Sequence, residues 1–222
     1  MKKDYKLLIF DIDGTLLDTS EGIVSSIKYA LKKNGLFLPR GFDYKVFIGP
    51  PIQLSIASFF PFLKESDVKK VSLDFRNHYK RYDLFKAKPY ANMFKVLDFA
   101  KEHNIRIAVA SYKREDYAYE IVDHFGITSY TKSIFGQDCA GKLKKEDIIR
   151  LAIKESGFDA SDCLVIGDTT SDGEASRIIG IDFLEVTFGF GFAKTNHFLG
   201  PSVGAVNDYL ELLNFLITSI SV

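Results

Sequence analysis

The stretch Tyr5-Lys6-Leu7-Leu8-Ile9-Phe10, followed at once by Asp11-Ile12-Asp13-Gly14-Thr15, constrains this chain more than any other. The apolar run reads as a buried strand. Ending a buried strand on two aspartates is costly, because an unpaired carboxylate loses its hydration on leaving water. The cost makes sense at the carboxyl end of a parallel strand, where open α/β sheets bind their ligands. Asp11 and Asp13 are two apart, so in an extended chain their side chains share a face. Gly14 permits a sharp turn and a close approach of backbone to ligand. By themselves these residues also suit an exposed strand end and a plain turn. The rest of the chain decides between the two.

With 222 residues, the chain is long enough for one large domain, or a core domain plus a smaller one. Its 46% hydrophobic residues can fill a core. Lys+Arg and Asp+Glu are both 29, which weighs against nucleic acid as the main partner, since phosphate-backbone binding usually needs a basic excess. The first apolar run is too short for a signal peptide, and no stretch is long enough to span a membrane, so a cytoplasmic protein is expected. Cys139 and Cys163 are the two cysteines, without metal-type spacing; one disulfide is allowed but not required.

After Thr15 the pattern turns helical. Thr19 or Ser20 can cap a helix running to about Asn34, with Gly35 as its stop. Gly49-Pro50-Pro51 is a turn or helix start, and a short helix is expected over Ile52–Phe59. Ser66 to Tyr82 reads as a further helix, and the Pro-interrupted stretch Phe85–Tyr90 as a linker. Residues 17–86 are therefore expected to form an all-helical insert. Beyond Tyr90, helices and strands alternate. Strands are expected at Ile105–Ser111, near Ser133–Phe135, at Cys163–Gly167 and at Asp182–Thr187, with a helix near Gly173–Ile179, a loop over Phe188–Gly204 and a last helix at Asn207–Ile217. Such repeats imply an α/β fold with a parallel sheet of about five strands, covered on both faces.

Three strands end in polar residues: the first in Asp11 and Asp13, the second in Ser111-Tyr112-Lys113, and a later one in Gly167-Asp168-Thr169-Thr170-Ser171-Asp172. In a parallel sheet these ends share one edge. Four carboxylates cannot crowd there at neutral pH without a cation. Oxygen ligands with no Cys and no paired His suit a hard ion, Mg2+ before Ca2+. Magnesium shares its sites with substrate phosphate, so the pattern leads to phosphoryl chemistry.

Asp11-Ile12-Asp13-Gly14-Thr15, then Ser111, then a lysine, then Gly167-Asp168 with Asp172, resemble in order and spacing the four motifs of the haloacid dehalogenase superfamily. The insert, with Gly49-Pro50-Pro51 and Pro89-Tyr90, resembles the helical cap of its phosphoglycolate-phosphatase-like branch. The resemblance implies a Rossmann-like core (residues 1–16 and 87–222), with the first strand central, and an inserted α-helical cap (17–86). It implies Asp11 as nucleophile and Asp13 as general acid and base. Ser111, with Gly14, Thr15, Tyr112 and Gly49, would lie against substrate. Asp11, Asp168, Asp172 and the main-chain carbonyl of Asp13 would surround Mg2+. The third-motif lysine is Lys145, Lys142 or Lys144, with Lys145 best placed at a helix start. Tyr112 would pack or touch substrate. Lys113 reads as a surface lysine at a helix start, the alternative being a lysine that serves the phosphate. Arg40, Lys45 and Lys88 read as solvent-facing, the alternative being that they reach an anionic substrate from cap or linker, and the histidines read as surface or cap residues.

The activity implied is Mg2+-dependent hydrolysis of a small phosphomonoester through an aspartyl-phosphate. The alternatives are a β-phosphoglucomutase-like phosphomutase and a catalytically silent binding protein on the same fold. A small phosphorylated metabolite is the expected partner, neither nucleic acid nor membrane is, and a monomer is the default, with a dimer the alternative.

Overall fold

The computed structural model describes residues 3–139, 141–192 and 197–219. Its core is a six-stranded sheet whose neighbours all run parallel. β1 (Leu7–Phe10) lies between β4 (Arg106–Arg114) and β6 (Cys163–Gly167), so the first strand is internal, as the resemblance implies. β5 (Ile134–Gln137) flanks β4 at one edge; β7 (Asp182–Val186) and β8 (Gly204–Val206) continue from β6 to the other.

Alternation along the strands builds two cores. Leu8, Phe10, Ile107, Val109, Leu164 and Ile166 face α4 (Met93–Glu102), α5 (Glu115–His124) and α8 (Tyr209–Ser219). Leu7, Ile9, Ala108, Ala110, Cys163 and Val165 face α6 (Lys145–Ser156) and α7 (Thr170–Ile179). Burial on both faces explains why these strands read as continuous apolar runs.

A helical layer interrupts the chain after β1. It contains α1 (Ser20–Lys33), α2 (Ile52–Phe59) and α3 (Glu65–His78), and α3 ends in a π-helical turn, Tyr79–Asp83. The insert is not all-helical: β2 (Leu17–Asp18) pairs antiparallel with β3 (Lys88–Pro89), because the outgoing and returning chains run side by side. The expected single helix over 66–82 is thus α3 plus a π turn. Five other expectations need correction. The sheet has six strands, since Gly204–Val206, from the end of the expected loop to just before the last helix, pair with β7. β4 continues past Ser111 to Arg114, because Arg114 finds a partner in Gln137 of β5 beyond a register shift. α7 starts at Thr170, so Asp172 sits in a helical first turn rather than a loop. The last helix starts at Tyr209 and runs to Ser219, with Asp208 accepting from the N–H groups of Leu210 and Glu211 at its start. Thr19 takes the N-cap position of α1, as expected, but its side chain does not cap the helix: the Thr19 hydroxyl donates to Asp13 and that of Ser20 to Asp18.

Candidate active site

β1 lies in register with both neighbours: Phe10 stands opposite Val109 of β4 and Ile166 of β6. Asp11 and Asp168, just beyond β1 and β6, and Ser111, within β4, therefore meet at one edge, and all three are buried. The Asp11 N–H donates to Ile166 O at 3.1 Å, extending the ladder into the site.

Lys145 opens α6 and reaches back under the sheet edge. Its Nζ lies 2.7 Å from Asp11 Oδ1 and 2.8 Å from Asp172 Oδ1, and its side chain is 4% exposed. Lys142 and Lys144 are exposed. Geometry thus brings Lys145, of the three lysines, to the aspartates. Burial disfavours its ammonium, but Asp11 and Asp172 outweigh burial and hold it above the usual lysine range. Tyr112 fixes the start of that helix: its hydroxyl accepts the Lys145 N–H at 3.0 Å.

Asp11, Asp168 and Asp172 each present one oxygen, and these lie within 4.8 Å of one another. Burial pushes the Asp11 carboxyl up to about 6 despite the nearby Lys145, and pushes Asp168 well above the carboxylate range. Asp168 Oδ2 accepts the N–H groups of Phe190 (2.6 Å) and Gly191 (3.2 Å), while its buried Oδ1 has no hydrogen-bond partner. Glycines make the space around it. Gly14, at φ +82°, would place a Cβ 2.1 Å from Asp168 Oδ2, and Gly189 one 2.3 Å away. Asp172 is oriented by its own helix start, with Oδ2 accepting from the N–H (3.1 Å) and hydroxyl (2.5 Å) of Thr169. An all-oxygen, buried, partly unsatisfied cluster fits a hard divalent cation.

Asp13 points elsewhere. Its Oδ1 accepts the Thr19 hydroxyl at 2.7 Å and lies 3.1 Å from Lys113 Nζ; its side chain is outside the three-carboxylate group. It lines a cavity between core and cap, together with Phe47, Gly49, Phe75, Arg76, Tyr112 and others. Lys113 is not a surface residue, as its place before a helix suggested. Because β4 continues, its side chain is 5% exposed and turns into this cavity, where its Nζ also meets the Tyr79 hydroxyl at 3.0 Å. Arg40, Lys45 and Lys88 are exposed, as expected.

The other expected site residues are nearby in differing states. The Ser111 hydroxyl accepts the Lys113 N–H at 3.3 Å. The N–H groups of Gly14 and Thr15 are used within the turn, by Leu17 O and Ile12 O, and the buried Thr15 hydroxyl has no partner. Gly49, at φ +100°, brings the cap loop against Thr169, where a Cβ would lie 3.2 Å from its methyl. Sequence reasoning missed Thr19 and Tyr79 as site residues, and placed Lys113 near the site without its contact with Asp13. One signal was present: Lys113 is two residues from Ser111, and a longer strand would put both on one face.

The sequence model of the family described as Haloacid dehalogenase-like hydrolase matches residues 8–186. This chain belongs to that family. It is 29% identical over 188 residues to a 5'-nucleotidase of Pseudomonas aeruginosa, spanning 84% of this chain and 85% of that protein. It is 28% identical over 191 residues to a phosphoglycolate phosphatase of Agrobacterium fabrum, spanning 83% and 81%. The crystal structure of a predicted phosphatase from Clostridium acetobutylicum superposes with a TM-score of 0.90 at 28% identity, over 97% of this chain and 99% of that one.

Proposed function

We propose that this chain is a Mg2+-dependent phosphomonoesterase that hydrolyses a small phosphorylated metabolite through an aspartyl-phosphate on Asp11. The observation that carries the reading is the contact of one buried lysine, Lys145, with both Asp11 and Asp172, beside an Asp168 oxygen with no partner. The named relatives, two of them phosphate-ester hydrolases by name, support it.

In this reading Asp11 attacks phosphorus and the ester P–O bond breaks. Asp13 gives its proton to the departing oxygen, then takes one from the water that hydrolyses the acyl phosphate, releasing phosphate and free Asp11. Ser111 and main-chain N–H groups at the strand ends hold the phosphoryl oxygens, and Lys145 offsets their charge. Asp11, Asp168, Asp172 and the Asp13 carbonyl would hold Mg2+, which supplies further charge neutralisation when bound. Arg76 of α3 lines the cavity and makes no ion pair among the described residues, which supports a leaving group that itself carries negative charge. The division into a core (1–16, 87–222) and a cap (17–86) is part of the proposal, supported by the β2–β3 pairing that closes the insert. So is a cytoplasmic monomer; both cysteines are free, and among the described residues no helix is long and apolar enough to cross a membrane.

The test is phosphate release from a panel of phosphomonoesters, with and without Mg2+, for wild type and Asp11→Asn. Mg2+-dependent release that vanishes in the variant is expected, with esters bearing a second anion among the fastest. Undiminished release by Asp11→Asn would remove Asp11 as nucleophile.

A further inference from the structure

Asp13 is held from two directions, and both holders tie it to the cap. Thr19 immediately precedes α1 and donates to Asp13 Oδ1 at 2.7 Å. On the other side, Lys113 Nζ lies 3.1 Å from the same oxygen and donates to the Tyr79 hydroxyl at 3.0 Å, 4.8 Å from the centre of the Tyr79 ring. Tyr79 is a cap residue, 3% exposed, in the π turn that ends α3. Single π turns recur at functional places in helices, because the extra residue re-aims a side chain. Here the turn is anchored at its far end: Asp83 accepts the Ser26 hydroxyl at 2.7 Å and pairs with Lys86 at 2.8 Å. Tyr79 also stacks on Phe75, 5.7 Å between ring centres and 7° from parallel, so its hydroxyl has a fixed direction.

We propose that Lys113 and Tyr79 are positioning residues that couple the place of the cap to the aim of Asp13. This rests on the reading of Asp13 as the acid that protonates the leaving group. Both contacts fall on Oδ1, which leaves Oδ2 as the oxygen that meets the leaving group in the cavity. With the cap seated, Tyr79 fixes Lys113 and Lys113 fixes the carboxylate. With the cap displaced, Lys113 loses its phenol partner and holds Asp13 Oδ1 less firmly. Proton donation is thereby efficient when the cavity is closed over a substrate, the state in which stray water is excluded. Phosphoenzyme formation from an ester with a poor leaving group depends on this link; formation from an ester whose leaving group needs no proton does not.

The experiment compares kcat/KM, which reports the steps up to departure of the leaving group, on p-nitrophenyl phosphate and on the fastest alkyl phosphate of the panel. The proteins are wild type, Tyr79→Phe, Lys113→Met and Lys113→Arg. General acid catalysis contributes about 10²–10⁴-fold, so Lys113→Met is expected to lower kcat/KM about 100-fold on the alkyl ester and less than about 5-fold on the aryl ester. Tyr79→Phe, which keeps the ring and removes the hydroxyl, should follow at about 10-fold on the alkyl ester alone. Lys113→Arg should recover most of the loss. Equal losses on both esters, or none, would overturn the link and leave a buried ion pair of structural value. A crystal structure of Lys113→Met supplies a readout independent of turnover: the Asp13 carboxylate should leave its position, and an unmoved carboxylate refutes the proposal. An inactive wild type in the same assay would count against the hydrolase reading, while the crystallographic outcome would still decide the link.

Discussion

At the scale of single residues, the site is a problem of buried charge. Burial first, and then the charge of neighbouring carboxylates, holds the protons of Asp11 and Asp168 more tightly than in water. Lys145 supplies one positive charge at hydrogen-bond distance from two of them, and the orphaned Asp168 Oδ1 shows where more positive charge is wanted. A glycine cradle keeps the approach open, since any side chain at position 14 would collide with Asp168. The two cysteines show the same physics in a simpler form. Burial pushes the Cys163 thiol up to about 11, while Cys139 is exposed. On the order of one Cys163 in a thousand is then thiolate at pH 8, and its face of the sheet is closed to reagents. A disulfide-exchange reagent at pH 8 should modify one thiol in the native chain and two in urea. Two fast thiols in the native chain would contradict this packing.

At the scale of elements, helix starts and returning chains decide where functional groups stand. α6 begins where Tyr112 accepts its first N–H, so Lys145 projects inward rather than joining its exposed neighbours. α7 begins where Asp172 accepts the Thr169 N–H, so one carboxylate both orders the helix and faces the site. α1 shows tertiary contact outweighing helix propensity. Gly22 donates to Lys86 O at 3.0 Å, and a Cβ there would lie 2.3 Å from Asp83 O, a backbone atom that cannot swing away. Alanine normally stabilises a helix interior over glycine by about 1 kcal/mol. Here Gly22→Ala should instead destabilise, because overpacking costs about 1–3 kcal/mol and pushes α1 off the turn that carries Tyr79. Urea unfolding of the variant should show a lower midpoint; a raised midpoint would mean that α1 does not lie against the return as described.

At the scale of the molecule, the sheet is a rigid platform and the helical insert leans over its functional edge. The strands in register fix Asp11, Ser111 and Asp168, while the insert contributes Thr19, Gly49 and Tyr79. An ion binding the three aspartates would join β1, β6 and α7 and so stabilise the whole fold. At a hundredfold excess over its dissociation constant, Mg2+ should add about 2.7 kcal/mol, or roughly 5–10 °C in Tm for a chain of this size. Asp168→Asn should lose most of that shift. A Tm indifferent to Mg2+ in the wild type would argue against a cation site at this cluster.

The sequence by itself determined the α/β class, the strand–helix alternation, the inserted cap and the aspartates at 11, 13, 168 and 172. These follow from local causes: apolar runs buried on both faces, turn residues, and carboxylates gathered at or just after strand ends. Tertiary structure alone decided the rest. Whether Lys142, Lys144 or Lys145 reaches Asp11 depends on where α6 starts, and that start depends on Tyr112, distant in sequence. Lys113 is buried because β5 pairs with residues beyond Ser111, a contact no local pattern around Lys113 records. β8 is a strand because β7 leaves an open edge beside it, not because Gly204-Ala205-Val206 favours extension. Local patterns specify which residues are worth burying; which of them meet is settled by pairings across the fold.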